Sequence, residues 1–380
     1  MKNGLQTRVD SVIDDAISKK RIVGTVILIS LDGTIVYQRP AGFADREEGR
    51  AMVENHVFRL ASFTKPLVSA ASIALIERGV LNLDKSIGVW LPEFRPKLRD
   101  RGKATITIRH LLTHTAGLGY PSDEPADGPY RKANVSDGLD QPGLSMDENL
   151  RRIASVPLRF EPGTSWAYSV ATDVLGEIVS RATQKSLPDA IKELITRPLE
   201  MHSTGFSPPA DLATLVTPYA DGSPQPVRMS DPQIVPTGPR TRLCFSPGRA
   251  FNEHSFHSGG AGMLGTAKDF MRFLETIRLA GHPILRADSV RTMTQNQIGS
   301  LWVVGDEPGW KFGFGVAVLE DPATADSPQS RGTLRWGGIW GHHWFVDPAK
   351  RLTVVCLTNT AIEGAKGTFP RQLRQAIYGV

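Results

Sequence analysis

Strand-like patterns lie at both ends of this chain with a long helical stretch between them, and that order restricts the folds open to it. Val23–Ser30 and Thr34–Gln38 read as two strands joined by Leu31-Asp32-Gly33, a hairpin signal. Strands return only after residue 310. Phe312–Leu319, Thr333–Gly337, His343–Asp347 and Leu352–Leu357 suit an antiparallel meander, with Pro348-Ala349-Lys350 as one turn. Residues 9–19 and Pro370–Tyr378 carry helical periodicity at either extreme. From Ser62 to about residue 280 the pattern is mainly helical, broken by two long loops, Gly117–Asp147 and Ser207–Gly262. Loops of that length usually act as lids or binding walls. The chain is expected to leave a sheet, build a helical region and return to finish the same sheet. The predicted class is α+β, with residues 1–61 and 285–380 forming the sheet region and 62–284 the helical one. Together they make one domain with the site at the seam.

Ser62-Phe63-Thr64-Lys65 is the one Ser-x-x-Lys in the chain. It follows the strand-like His56-Val57-Phe58-Arg59-Leu60 and opens an apolar helical segment (Leu67, Ala70, Ala71, Ala74, Leu75, Ile76) that closes at Arg78-Gly79. Residues three apart share a helix face, so Lys65 is predicted to stand beside Ser62. The positive helix end there favours an unprotonated amine and negative charge developing on the serine oxygen. The same tetrapeptide also fits a serine cap followed by a solvated lysine.

Two further segments bear on that choice. Tyr168, in Trp166-Ala167-Tyr168-Ser169-Val170, precedes the helical stretch Thr172–Ala182. A tyrosine beside an ammonium gives up its proton at lower cost, so it can serve as base toward Ser62 and acid toward a leaving group. Packing in the helical core is the plainer alternative. Trp336-Gly337-Gly338-Ile339-Trp340-Gly341 interrupts two strands, and glycines inside a strand often mark close approach of a ligand to the backbone. The N–H of Ile339 is a candidate to join that of Ser62 in an oxyanion hole, and a tight hairpin turn fits the same residues.

Composition narrows the remaining classes. The net charge of +5 is spread along the chain rather than gathered in a stripe, which argues against a nucleic-acid partner. Cys244 and Cys356 are too few for a disulfide framework and lack metal-ligand spacing. No membrane-spanning run and no secretory signal are visible, so the expected location is cytoplasmic and no membrane partner is expected. Gly-x-Ser-x-Gly, His-Glu-x-x-His and the P-loop are absent. His254 and His257 share a short spacing beside Gly259-Gly260, which reads as a pocket wall more readily than as a metal site. His342 is placed where it could touch the cleft, and His343 follows it. Neither a metal nor a cofactor is expected.

Taken together, Ser62-x-x-Lys65, Tyr168-Ser169 and the glycine-bearing strand near the end resemble the penicillin-recognising serine hydrolases, of β-lactamase/DD-peptidase-like fold. The resemblance is greatest to class C β-lactamases and family VIII carboxylesterases. It extends over nearly the whole chain, through Gly79-Val80-Leu81-Asn82-Leu83-Asp84, Trp90-Leu91-Pro92-Glu93-Phe94, Ile108–Leu118, Phe160-Glu161-Pro162-Gly163 and Arg197-Pro198-Leu199-Glu200-Met201. It implies an acyl-serine mechanism run by Ser62, Lys65 and Tyr168. Two departures bear on substrate. Val170 stands where β-lactamases of this type carry an asparagine, and Trp336-Gly337-Gly338 replaces their Lys-Thr-Gly. Losing an amide and a cation removes groups that orient an anionic lactam. The expected activity is therefore a carboxylesterase acting on small, largely uncharged esters. Trp166, Val170, Trp336, Gly337, Gly338, Trp340 and His254 are candidate substrate contacts. A β-lactamase, a D-amino-acid peptidase or amidase, an acyltransferase, and a catalytically silent binding protein on the same fold stay open, as does the oligomeric state.

Overall fold

A computed structural model describes residues 4–100, 102–303 and 308–380. Its strands are β1 (Gly24–Leu31), β2 (Thr34–Asp45), β3 (Arg50–Ala51), β4 (Phe58–Arg59), β5 (Tyr219–Ala220), β6 (Val227–Arg228), β7 (Gln233–Pro236), β8 (Arg242–Phe245), β9 (Leu264–Gly265), β10 (Trp310–Phe312), β11 (Ala317–Leu319), β12 (Leu334–Gly338), β13 (His342–Asp347) and β14 (Leu352–Thr358). Eight of them form one antiparallel sheet in the order β10-β11-β12-β13-β14-β1-β2-β3. The last strand pairs with the first, Thr25 opposite Thr358 and Leu31 opposite Leu352. The sheet is therefore closed by both ends of the chain, as the order of patterns predicts.

Period-2 alternation divides the sheet's side chains between two faces. Val26 and Leu28 of β1, with Val355 and Leu357 of β14, join the core shared with the helical region. Ile27, Ile29, Val354 and Cys356 point the other way, onto helices α1 (Leu5–Ser18) and α11 (Thr368–Tyr378). Cys356 is a core residue, fully buried, and burial pushes its thiol up to about 12.

The helical region is built around α2 (Thr64–Glu77), in which every residue from Thr64 to Leu75 is buried. A helix apolar on all sides belongs in a core rather than at a surface. Against it lie α6 (Ala171–Thr183) and α7 (Leu187–Ile191), and the same core takes residues from α3 (Ile108–Leu112), α4 (Pro129–Lys132), α5 (Met146–Ser155), α8 (Ala267–Arg278) and α9 (Ala287–Met293). A short α10 (Glu363–Lys366) precedes α11. Phe270 of α8 reaches the sheet at Trp344, ring centroids 6.1 Å apart. Among the described residues, no helix is long and apolar enough to cross a membrane.

Several element boundaries differ from the sequence reading. Phe312–Leu319 is a hairpin, β10 and β11, rather than one strand. Gly315 turns it with φ +79°, and a Cβ there would sit 2.2 Å from Ser69 Oγ. Such a position suits glycine alone. The segment His56–Leu60 shortens to β4, whose two residues pair with β9. The second strand runs on to Asp45 instead of Gln38. The stretch from Ser207 to Gly262 is not plain loop, since β5–β6 and β7–β8 form two ribbons within it.

Candidate active site

Ser62 lies in a 3-10 turn, Ala61–Phe63, that leads directly into α2. Ala61, just before it, has φ +45°, a left-handed conformation that costs a non-glycine residue energy and tends to survive only where the surroundings impose it. Two contacts impose it here. Leu60 N donates to Met263 O at 2.8 Å, and Arg59 pairs with Leu264 across β4–β9. Thr64 Oγ1 in turn accepts from Met263 N at 3.1 Å. The turn is thus held by the segment that carries Gly259-Gly260.

Lys65 is fully buried, one helical turn beyond Ser62. Its Nζ donates to Ser62 Oγ at 3.0 Å and to Gly260 O at 2.8 Å. Tyr168, on the loop before α6, donates its hydroxyl to the same Ser62 Oγ at 2.7 Å. The alternatives of a solvated lysine and a core-packed tyrosine fail on these distances. The amine and the phenol converge on one serine oxygen, close enough for direct proton transfer.

The aromatic surroundings hold this geometry. Trp336 Nε1 donates to Tyr168 OH at 3.3 Å, with ring centroids 5.1 Å apart. Lys65 Nζ lies 4.7 Å from the Tyr168 ring centroid and 5.5 Å from that of Tyr120, within cation–π range. Burial holds the Tyr120 hydroxyl well above its ordinary range, so it stays a neutral phenol. His114 packs 4.9 Å from Tyr168, with Nδ1 3.1 Å from Ser169 Oγ. Burial first, and the nearby Lys65 cation second, hold His114 well below its ordinary value.

The end of β12 lies directly on the turn that carries Ser62. A Cβ on Gly338 would come within 2.5 Å of Leu60 O, so glycine permits the approach. Gly338-Ile339-Trp340-Gly341 then turns, with Gly341 N donating to Gly338 O at 2.9 Å. The tight turn expected of this segment is present, and the close approach at Gly338 is that of the protein's own Leu60 carbonyl. Among the described residues, neither the Ser62 nor the Ile339 amide has a protein acceptor.

Other predicted contacts fall elsewhere. Val170 is fully buried in the core at the start of α6, its amide donating to Gly119 O at 3.2 Å. Trp340 is buried on the far side of the turn, 4.5 Å from Phe245 and 5.8 Å from the Arg59 guanidinium. Trp166 is buried behind Tyr168, against Phe312. Gly337 is partly exposed beside Trp336. His254 is exposed in a turn where its amide donates to Asn252 Oδ1, and no contact among the described residues joins it to Ser62. His257 lies against Phe206. His342 does not touch the cleft. Its Nε2 donates to Arg59 O at 2.8 Å and its Nδ1 accepts from Thr358 N at 3.3 Å, tying β13 to β4. Among the described residues, no cluster of three or more His, Cys, Asp or Glu side chains is suited to a metal ion.

The sequence reading passed over Tyr120, Gly260 and Asp173. Gly260 carried a visible signal in its glycine pair, and Asp173 stands in the first turn of the helix that Tyr168 precedes. Tyr120 had none, because it reaches Lys65 only through the fold.

Comparison with known proteins agrees with this geometry. A family profile described as Beta-lactamase matches residues 9–377. The chain is 48% identical over 381 residues to Esterase EstB of Burkholderia gladioli, covering 98% of this chain and 95% of that protein. Among solved structures, EstCE1, described as a hydrolase with promiscuous acyltransferase activity, superposes with a TM-score of 0.95 at 41% identity, covering 100% of this chain and 99% of that one. Simvastatin synthase LovD from Aspergillus terreus superposes with a TM-score of 0.76 at 21% identity over 99% of this chain and 98% of that one, a likeness of fold alone.

Proposed function

The chain belongs to the β-lactamase family, and from that premise we propose that it is a carboxylesterase working through an acyl-Ser62 intermediate. The observation that carries this reading is the double contact on Ser62 Oγ, Lys65 Nζ at 3.0 Å and Tyr168 OH at 2.7 Å. Tyr168 acts as the phenolate, its charge answered by Lys65, and takes the proton from Ser62 as the serine oxygen attacks the ester carbonyl. The resulting oxyanion sits between the N–H groups of Ser62 and Ile339, which among the described residues have no protein acceptor. Tyr168 passes its proton to the departing alkoxide, and water then hydrolyses the acyl-serine with the same residues in reversed roles.

The substrate class follows from what flanks the serine. Trp336 stands beside Tyr168, where family members that bind anionic lactams place a lysine, and the residue two beyond Tyr168 is a buried valine. An aromatic wall without a cation suits small, uncharged esters, consistent with the esterase most similar in overall length and sequence among the relatives above. Acyl transfer to an alcohol is the second reading, drawn from the activity described for EstCE1. A panel of p-nitrophenyl esters with wild type and Ser62→Ala, with and without added alcohol, tests both. Ester turnover that Ser62→Ala abolishes is expected, and turnover that survives the substitution would overturn the assignment.

A further inference from the structure

Behind the Ser62–Lys65–Tyr168 cluster lies a buried carboxylate with no part in the scheme above. Asp173, in the first turn of α6, is fully enclosed, with 1% of its surface exposed. Its Oδ1 accepts from Ser258 Oγ and, at 3.1 Å, from Gly260 N. Ser258 Oγ in turn accepts from Ala261 N at 2.9 Å, so the carboxylate clasps residues 258–261 through one side chain and two amides. Gly260 faces both ways: its amide goes to Asp173 and its carbonyl, at 2.8 Å, to Lys65 Nζ. The fit leaves no slack. A Cβ on Gly260 would fall 2.6 Å from Asp173 Oδ2, and one on Gly259 would fall 2.5 Å from Thr172 O. Asp173 Oδ2 itself is buried without a hydrogen-bond partner.

An oxygen left unpaired in a closed interior costs free energy, and structures retain such atoms chiefly where they serve a purpose. The cation that answers it is Lys65, on the other side of Gly260. We infer that Asp173 is a positioning residue for the esterase reaction. By gripping Gly260, whose carbonyl receives Lys65 Nζ, it aims that amine at Ser62 Oγ. This inference rests on the hydrolase reading given above.

The other groups facing the pair fit this division of charge. Around Lys65 stand the Tyr120 and Tyr168 rings and His114, which burial and Lys65 keep neutral. Neither Tyr120 nor His114 is a counter-ion. Around Asp173 stand Asp137 and Arg249. Arg249 spends two of its donors on the carbonyls of Asp140 and Phe256, and burial raises Asp137 to about 8, so it carries little charge at neutral pH. Burial also raises Asp173 itself, opposed first by Lys65 and then by Ser258 and Gly260.

The test is kcat and KM on a p-nitrophenyl ester, with a melting curve, for wild type, Asp173→Ala, Ser258→Ala and Ser62→Ala. Asp173→Ala removes the grip on Ser258 and Gly260 and is expected to lower kcat about 10- to 100-fold with KM little changed, as for an interaction made in the transition state. Ser258→Ala loosens the clasp but keeps the carboxylate on Gly260, and should lower kcat about 3- to 10-fold, again with KM little changed. A wild-type kcat in Asp173→Ala, or a fall carried by KM alone, in protein with an unchanged melting curve, would overturn the inference. So would a wild-type kcat in Ser258→Ala, which decides the matter should Asp173→Ala fail to fold. Activity surviving in Ser62→Ala would instead refute the hydrolase reading beneath it.

Discussion

Replacing Tyr168 with phenylalanine removes one oxygen and leaves every ring contact in place, so it separates chemistry from packing. The ring keeps its neighbours Tyr120 at 5.0 Å, His114 at 4.9 Å and Trp336 at 5.1 Å. Two hydrogen bonds are lost, to Ser62 Oγ at 2.7 Å and from Trp336 Nε1 at 3.3 Å. Both lie at a half-buried site, where each contributes about 0.5–1.5 kcal/mol net to stability. For a chain of this size that is a fall in Tm of a few degrees at most, on the order of 2–4 °C per kcal/mol and less as length grows. Loss of a general base, by contrast, costs about 10²- to 10⁴-fold in rate, or about 3–5 kcal/mol of transition-state stabilisation. Lys65 still donates to Ser62 in the variant, so a residual rate above that of Ser62→Ala is expected. Steady-state kinetics on a p-nitrophenyl ester, with a thermal melt of the same preparation, read both quantities. A kcat within about fivefold of wild type would refute the assignment of Tyr168 as base. A collapse of Tm would recast it as scaffold.

Two further outcomes follow from the geometry. Gly338→Ala puts a Cβ 2.5 Å from Leu60 O, and backbone cannot yield as a flexible side chain can. The end of β12 should back away from Ser62, with a fall in kcat of about 10²- to 10³-fold, the usual loss of one oxyanion donor; unchanged kinetics would show that Ile339 donates nothing. His342 and His343 are pushed down to about 4 by burial, whereas in the unfolded chain each titrates near its ordinary value of about 6.5. Between those values the unfolded state binds protons that the folded state refuses. Stability should therefore fall as pH drops through that window, by roughly 3 kcal/mol per imidazole at most. Urea midpoints for wild type and His342→Gln should converge on acidification, and parallel pH dependences would contradict this origin.

Much of the fold was legible because its signals are local. Near-continuous apolar runs in Val23–Ser30 and Leu352–Leu357 mark strands buried on two faces, and the mainly apolar sequence of α2 marks a helix with no outer side. Ser62 and Lys65 are three residues apart, so helix geometry alone brings them together. What escaped reading depends on contacts distant in sequence. Lys65 meets the carbonyl of Gly260 across 195 residues, and Asp173 accepts from the amide of the same glycine across 87. Trp340 and His342 were misjudged for a different reason. The tight turn at Gly338–Gly341 sends Trp340 toward Phe245, away from Trp336, and pairing with β14 turns the His342 ring inward toward Thr358. Gly313 and Gly315 split Phe312–Leu319 into a hairpin, and their presence inside a strand pattern was the available warning.

The strand β14, seated between β13 and β1, is made more than three hundred residues after the strand it pairs with. Until residue 358 has cleared the ribosome, β1 holds β2 on one side and an unpaired apolar edge on the other, the kind that recruits other chains. A product truncated before β14 would lack the strand that joins β13 to β1 and would carry that adhesive edge permanently, so protection by chaperones during elongation would matter more here than in a protein whose sheet closes early.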